Sequence, residues 1–307
     1  MELQGKRTQE TAARIVQTFR RPEELPNMLA AIFIHRKDDG PCRRWSWHNQ
    51  LLCEMAGTRD ARSYEQWHAI ERFVKRGSKA FWILAPWIKT LDENMDEGDK
   101  PERGMVHGFR SVPVFRVEDT DGPPLNTESQ CDRPMGSLAL RSVAESWGID
   151  VETHFYASSH PLEFFGTGAM GSAVMSGADN LSAWIQELVQ AAGHRLFPQS
   201  DSGWDKDIVA ELGSAVLLEY IGQNREADLR NPYEYIRRHA SQNQVPMVKG
   251  CIRILDRVCG CVKLILDTAE QSCPFSTHRW PRVYWRLPEH RNGTHNSPSS
   301  LDSSPAV

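Results

Sequence analysis

The stretch that decides the fold is Trp184-Ile185-Gln186-Glu187-Leu188-Val189-Gln190, followed downstream by Val209-Ala210-Glu211-Leu212. It has the spacing of a zinc peptidase helix, in which two histidines one turn apart bind the metal, a glutamate between them acts as general base, and a third ligand comes from elsewhere. Glu187 and Glu211 are present, but Gln186 and Gln190 occupy the two histidine positions, and carboxamide oxygen is a poor zinc ligand. The pattern predicts a peptidase scaffold whose metal site has been lost.

The same helix has an alternative interpretation. On a helical wheel, the polar residues of segment 180–197 fall in one quadrant, opposite an apolar face. The quadrant consists of Gln186, Glu187, Gln190 and His194. Taken alone, these residues favour an ordinary solvated helix face over the floor of a cleft.

The bulk composition is that of an ordinary soluble globular protein. The chain has 307 residues, of which 40% are hydrophobic and 25% charged, which is enough for about two domains of ~100–200 residues each. No apolar run approaches the ~18–20 residues of a membrane span, and the polar N-terminus lacks the features of a secretory signal. We therefore expect a cytoplasmic protein with no membrane contact.

Positive charge and tryptophan are concentrated in the first part of the chain. Residues 1–91 contain 16 Lys and Arg against 10 Asp and Glu, although the whole chain has a formal net charge of −4. Five of the ten tryptophans lie between residues 45 and 87, among arginines and lysines. Cations that follow phosphates and aromatic faces that stack on bases are typical of single-stranded nucleic-acid binding. Composition alone leaves open the alternative that the tryptophans are core residues and the cations solvate the surface.

Hydrophobic periodicity predicts an α+β fold. Helices are predicted at 8–20, 23–35, 48–56, 63–75, 138–148, 180–197, 204–221 and 246–270, and strands at 79–85, 109–117 and 151–156. The first two strands should form a hairpin around a long acidic loop, with Pro86 ending the first strand, and 160–176 should form a second hairpin. The stretch 119–134, rich in Asp, Gly, Pro, Ser and Thr, is the best linker candidate.

The first half contains four short motifs. They are Arg44-Trp45-Ser46-Trp47-His48-Asn49-Gln50-Leu51-Leu52, Tyr64-Glu65-Gln66-Trp67, Val74-Lys75-Arg76-Gly77-Ser78-Lys79-Ala80 and Gly108-Phe109-Arg110-Ser111-Val112-Pro113-Val114-Phe115. In this order, they resemble the N-terminal domain of ArdC-type antirestriction proteins. In the second half, segment 204–216 is similar to a helix of the zincin-like metallopeptidase domain that follows in this family.

The resemblance implies that the first half binds single-stranded DNA. The residues that match the family motifs are Arg44, Trp45, Trp47, Asn49, Gln50, Lys75 and Lys79. With Arg43, Trp67 and Arg76 from the same basic, tryptophan-rich segment, they form the predicted nucleic-acid-binding set. His48 stands where the family commonly has a basic residue, which lowers the local charge at neutral pH.

For the second half, the resemblance implies a zinc peptidase site with Glu187 as general base and Glu211 as third ligand. Because glutamine replaces both histidines, no Lewis acid would activate water there, and Glu187 is expected to be vestigial. We expect no metal at Gln186, Gln190 and Glu211, and no cofactor, although the family uses zinc.

These predictions divide the chain into five segments. They are a single-stranded-DNA-binding domain (1–122), a linker (123–136), a zincin-like domain (137–245), a helical extension (246–286) and a disordered tail (287–307). The predicted function is sequence-nonspecific single-stranded DNA binding of the antirestriction type. Two alternatives stay open: an active metal-dependent peptidase tethered to DNA, and a pseudoenzyme whose zincin-like domain binds a protein partner.

Overall fold

Helices form where apolar residues recur at helical spacing, and most of the predicted helices are present. In a computed structural model of the chain, the helices are α1 (Lys6–Thr18), α2 (Leu25–Ile34), α3 (Trp47–Met55), α4 (Tyr64–His68), α5 (Ser137–Ser146), α6 (Leu181–Leu196), α7 (Lys206–Tyr220), α8 (Pro232–Gln242) and α9 (Met247–Ser272). The strands are β1 (Glu2–Gln4), β2 (Ala61–Arg62), β3 (Phe73–Val74), β4 (Phe81–Lys89), β5 (Met105–Arg116), β6 (Thr120–Asp121), β7 (Glu152–His154) and β8 (Val174–Ser176). The structure describes residues 2–35, 38, 40–89, 105–125, 137–149, 152–154, 174–176, 181–198, 203–223 and 229–272. Packed helices with small sheets confirm the α+β fold class.

The larger sheet is organised around β5. β4 pairs antiparallel with β5 along its whole length, which confirms the strands of the predicted hairpin. β1 runs parallel to β5 with Leu3 opposite Phe109, and β2 runs antiparallel to it with Arg62 opposite Phe115. The acidic segment between the strands of the hairpin, 90–104, lies outside the described residues.

Pro86 does not end β4, and that prediction was wrong. The strand continues to Lys89, and Pro86 lies opposite Phe109 of β5. Among the described strands, β4 pairs with β5 alone. An edge strand tolerates the missing N–H of proline because one of its sides has no neighbouring strand.

The predicted helix 63–75 is much shorter in the structure. Ser63 caps α4 in a capping box with Gln66, but the helix ends at His68 and Glu71 adopts a φ of 58°. This left-handed conformation breaks the helix, and the chain continues into β3, which pairs antiparallel with β6. β6 lies within the stretch that was predicted as a linker, so the first residues of that stretch are part of a sheet. Residues 126–136 of the linker lie outside the described part of the chain.

The second half contains one pairing and one helix that the sequence patterns did not indicate. β7 and β8 pair in parallel, whereas residues 160–173 of the predicted hairpin lie outside the described residues. α8 begins at Pro232 directly after Asn231, whose side chain accepts hydrogen bonds from two backbone N–H groups of the first turn. Asparagine as N-cap followed by proline is a strong helix start.

One apolar cluster contains residues from both halves of the chain. Leu29 and Phe33 of α2 belong to the same buried cluster as Val216 of α7 and Leu255 of α9, and α2 packs directly against α7. Residues 1–273 form one compact unit. Independent folding of residues 1–122 stays a prediction, as do the other segment boundaries. Residues 273–286 of the predicted extension and the predicted tail lie outside the described residues.

The described helices can be compared with the length and apolar character that a membrane span needs. Within the described residues, no helix combines the length and the apolar character that crossing a bilayer requires.

Asn49 joins the helices to the sheet. It is buried on α3, its Nδ2 donates a hydrogen bond to the carbonyl oxygen of Leu84 over 2.8 Å, and its Oδ1 accepts one from the N–H of Leu84 over 2.9 Å. Leu84 lies on the edge strand β4. The Asn49 amide thus takes the place of a neighbouring strand and satisfies two buried backbone groups.

Replacing Asn49 with alanine should therefore destabilise the protein. The change leaves both backbone groups of Leu84 buried without partners, and we expect the free energy of unfolding to fall by roughly 2–4 kcal/mol. Chemical denaturation of the full chain measures this quantity. Asn27→Ala, at an exposed position of α2, is the matched control and should change it by less than about 0.5 kcal/mol. Equal effects of the two substitutions would show that the hydrogen bonds between Asn49 and Leu84 contribute nothing to the free energy of unfolding.

Candidate functional site

The ten residues predicted to contact nucleic acid lie in different environments. The exposed ones are Arg44, Lys75, Arg76 and Lys79, the half-buried ones are Trp45 and Trp47, and the buried ones are Asn49, Gln50 and Trp67 together with the side chain of Arg43, which is only 5% exposed. Burial therefore separates residues that the sequence motifs group together.

Gln50 and Arg43 hold the turn that precedes α3. The Nε2 of Gln50 donates to the carbonyl oxygens of Trp45, over 2.8 Å, and Arg43, over 3.3 Å. The Nη1 of Arg43 lies 3.5 Å from a carboxylate oxygen of Glu54, whereas its buried Nε and Nη2 find no hydrogen-bond partner among the residues that the structure describes. These contacts fix the backbone that carries the exposed Arg44. Direct contact of the buried side chains with nucleic acid stays a prediction.

Trp67 is fully buried and has two guanidinium groups of the protein near its ring. Its indole N–H donates to the carbonyl oxygen of Phe115 over 2.9 Å, and the guanidinium carbons of Arg62 and Arg72 lie 4.9 and 5.9 Å from the ring centroid. Arg72 is itself buried, with its Nε donating to the hydroxyl of Thr120 over 2.9 Å. The Trp67 ring is thus in contact with the protein's own cations, which stabilise it by cation–π attraction.

Three other rings form an exposed row that the sequence reasoning missed. Tyr64 and His68 lie one turn apart on α4, and the His68 ring meets the edge of Phe73 at a centroid distance of 5.3 Å. Tyr64 is 57% and Phe73 52% exposed, and His68 is exposed as well. We call Tyr64, His68 and Phe73 the aromatic row. The i, i+4 spacing of Tyr64 and His68 was visible in the sequence, but their exposure was not.

A tight turn places cations next to the aromatic row. Lys75 to Ser78 connects β3 to β4, the N–H of Ser78 donates to the carbonyl oxygen of Lys75, and Gly77 supplies the positive φ of 92° that a type II turn requires at its third position. The turn exposes Arg76, and Lys79 follows it. Neither Arg76 nor Lys79 forms an ion pair within the described part of the chain, whereas the Nζ of Lys75 lies 3.5 Å from a carboxylate oxygen of Asp121.

His48 is buried at the start of α3, and its ring meets that of Phe109 edge-on. Its Nε2 lies 2.9 Å from the hydroxyl of Ser46, and its buried Nδ1 has no hydrogen-bond partner among the described residues. Burial lowers the pKa of His48 to about 4 because the imidazolium form cannot be solvated there. At neutral pH the residue is therefore uncharged and contributes nothing to attraction of phosphates.

In the second half, α6 and α7 pack closely against each other. A Cβ at Gly213 of α7 would lie 2.7 Å from Cγ1 of Val189 on α6, so a larger residue would force the buried valine to move. Gln186, Glu187 and Gln190 are half-buried on α6. Partial burial raises the pKa of the Glu187 carboxyl above its ordinary value.

Glu211 already forms an ion pair within the protein. Its carboxylate accepts a hydrogen bond from the backbone N–H of Arg230 and forms an ion pair with the Nε of Arg230 over 3.3 Å. In the described residues, no three His, Cys, Asp or Glu side chains lie close enough together to hold a metal ion. Two carboxamides and a paired carboxylate do not fit the zinc that the family resemblance implies.

The buried His48 should make the protein less stable in acid. The pKa of His48 is lower in the folded than in the unfolded chain, so the unfolded state takes up the proton first as the pH falls below about 6.5, and stability is lost down to about pH 4. Between pH 7 and 4.5, we expect wild type to lose roughly 2–3 kcal/mol more unfolding free energy than His48→Gln. Denaturation of both proteins at the two pH values measures this difference. Equal losses of unfolding free energy in the two proteins would contradict the lowered pKa of His48.

Comparison with known proteins gives similarity at the level of structure only. No protein-family model matches this chain, and the comparison with curated proteins finds no match. Among solved structures, the chain is similar to the metal-free antirestriction protein ArdC from the R388 plasmid, with 17% identity, a TM-score of 0.46, and coverage of 72% of this chain and 82% of that one. It is also similar to the Mn(II)-bound ArdC structure, with 16% identity, a TM-score of 0.47, and coverage of 80% and 98%.

Proposed function

We propose that this protein binds single-stranded DNA without reading its sequence, in the manner of an antirestriction protein. The observation that carries the proposal is the exposed aromatic row beside a cationic turn. Bases of a single strand are free to stack on exposed rings, at about 1–3 kcal/mol per stacked base, whereas bases in a duplex are already stacked on each other. The aromatic row therefore favours single strands over duplex.

Phosphate contacts would come from the exposed cations. Arg76 and Lys79 follow the aromatic row directly, and Arg44 is exposed at the start of α3. Because Arg76 and Lys79 form no ion pair in the described residues, DNA would not have to break one to reach them. The half-buried rings of Trp45 and Trp47 extend the surface near Arg44. A backbone contact of this kind carries no sequence information, which matches a nonspecific binder.

Removing the exposed rings should weaken binding without unfolding the protein. Tyr64→Ala and Phe73→Ala should each weaken the affinity for a fluorescent oligothymidylate by about 1–3 kcal/mol, measured by anisotropy on the full chain. Leu196→Ala is the control, since Leu196 is an exposed hydrophobic residue of α6 that lies outside this surface. No binding by wild type at low salt, or an equal loss in the control, would refute the proposal.

The same titration tests the cations through its salt dependence. Each phosphate contact contributes about 0.7 to the slope of log affinity against log salt for single strands. The double variant Arg76→Gln, Lys79→Gln should therefore have a slope smaller by about 1.4. Lys249→Gln, at an exposed position of α9, should leave the slope unchanged.

For the second half, we propose a peptidase scaffold that no longer works as a metallopeptidase. Carboxamides at Gln186 and Gln190 and the engagement of Glu211 by Arg230 support this proposal. Glu187 has the raised pKa of a general base, but without a metal-activated water it has no nucleophile to deprotonate. The domain could still serve as a binding module for a protein partner.

Metal analysis of purified protein tests the loss of the zinc site. We expect wild type to carry no stoichiometric zinc, and we expect the double variant Gln186→His, Gln190→His to gain it, because imidazole nitrogens would then replace the carboxamides. Stoichiometric zinc in wild type that disappears in Glu211→Ala would instead show an active site and favour the peptidase alternative.

A further inference from the structure

A small cavity lies among α6, α7 and α9, and of the metal positions that the family resemblance implies, Gln190 is among its lining residues. Its volume is about 50 Å³, and since one water needs about 10–15 Å³ by such a measure, it can hold a group of several non-hydrogen atoms. Gln190 and His194 of α6, Lys206 of α7 and Arg257 of α9 contribute its polar groups, and the remaining wall is apolar.

The charges around the cavity are of one sign. Lys206 and Arg257 are permanent cations, and none of the described residues that line the cavity is acidic. Asp205 does not line the cavity, but its two carboxylate oxygens lie 2.5 Å from Nη1 of Arg257 and 2.7 Å from Nε of Arg253. Asp205 is fully buried, holds the Arg257 guanidinium in place and compensates one of the two positive charges of Arg253 and Arg257.

Lys206 is the cavity cation for which the described residues provide no partner. It forms no hydrogen bond or ion pair within the described part of the chain, and its side chain folds back over Gly203, where an added Cβ would lie 3.9 Å from Nζ. An ammonium group held at the rim of a cavity without a counter-ion attracts an anion. His194 lines the same cavity, is exposed, and could add a further donor.

We propose that this cavity binds a phosphate group. Residues with ammonium, guanidinium, imidazole and carboxamide groups line the cavity from three helices, and a tetrahedral phosphate has oxygens in enough directions to accept hydrogen bonds from several of them. A carboxylate has two oxygens in one plane and would meet fewer of these donors. The site belongs to the second half of the chain and does not depend on the proposed DNA surface around the aromatic row.

Titration of the full chain with inorganic phosphate at constant ionic strength tests the proposal. The ring signals of His194 in a two-dimensional NMR spectrum should shift and saturate below about 50 mM phosphate, as expected of a millimolar site. Lys206→Met should weaken phosphate binding by about tenfold or more, because it removes one charge-assisted contact. Lys249→Met is the matched control on an exposed part of α9 and should bind as wild type does.

Two further titrations define the ligand. Acetate should compete weakly, and an affinity equal to that of phosphate would overturn the choice of phosphate. A 5′-phosphorylated trinucleotide that shifts His194 more strongly than its 5′-hydroxyl twin identifies a DNA end as the source, whereas equal shifts identify a free phosphate. Absence of any His194 shift with phosphate, or equal affinity in wild type and Lys206→Met, would refute the site. Neither result would affect the oligothymidylate titration, so the two proposals fail separately.

Discussion

The packing of α2 against α7 is the contact on which the rest of the structure depends. Leu29 and Phe33 bury their side chains in the same apolar cluster as Val216 and Leu255, so one core serves both halves of the chain. Because apolar burial is the main favourable term in folding, loss of this contact would lower the stability of the compact unit. The aromatic row and helices α6 and α7 are therefore parts of one compact unit, and α3 is attached to the sheet through the amide of Asn49.

The same burial decides which side chains are exposed. Trp67, Asn49 and Gln50 are buried, where their polar atoms satisfy backbone groups that would otherwise be buried unpaired. Tyr64 and Phe73 are exposed although they are as apolar as many core residues. Exposed rings near Arg76, which forms no ion pair with any described residue, are not favoured by solvation alone, and the proposed stacking on bases would give them a physical role.

The close approach of α6 and α7 does not depend on the polar residues of α6. It depends on Gly213 and the apolar side of α6. If the proposed loss of a zinc site is correct, glutamine at two polar positions would remove metal ligands without disturbing this packing. Glu211 is paired with Arg230, and the cationic cavity that Gln190 helps to line would offer these helices the different ligand chemistry proposed above.

Some properties of this protein follow from the sequence by itself. Local periodicity predicted most helices, the β4–β5 hairpin and the α+β class. The poor zinc site that residue chemistry at 186 and 190 indicates stays a prediction. Other properties required the tertiary structure. The burial of Trp67, the exposure of Phe73, the pairing of Glu211 with Arg230 and the cavity beside Lys206 each depend on residues far away in the chain. Spacing along the chain reports what a side chain can do, but only packing decides what it touches, because burial and ion pairing are set by neighbours brought together in space.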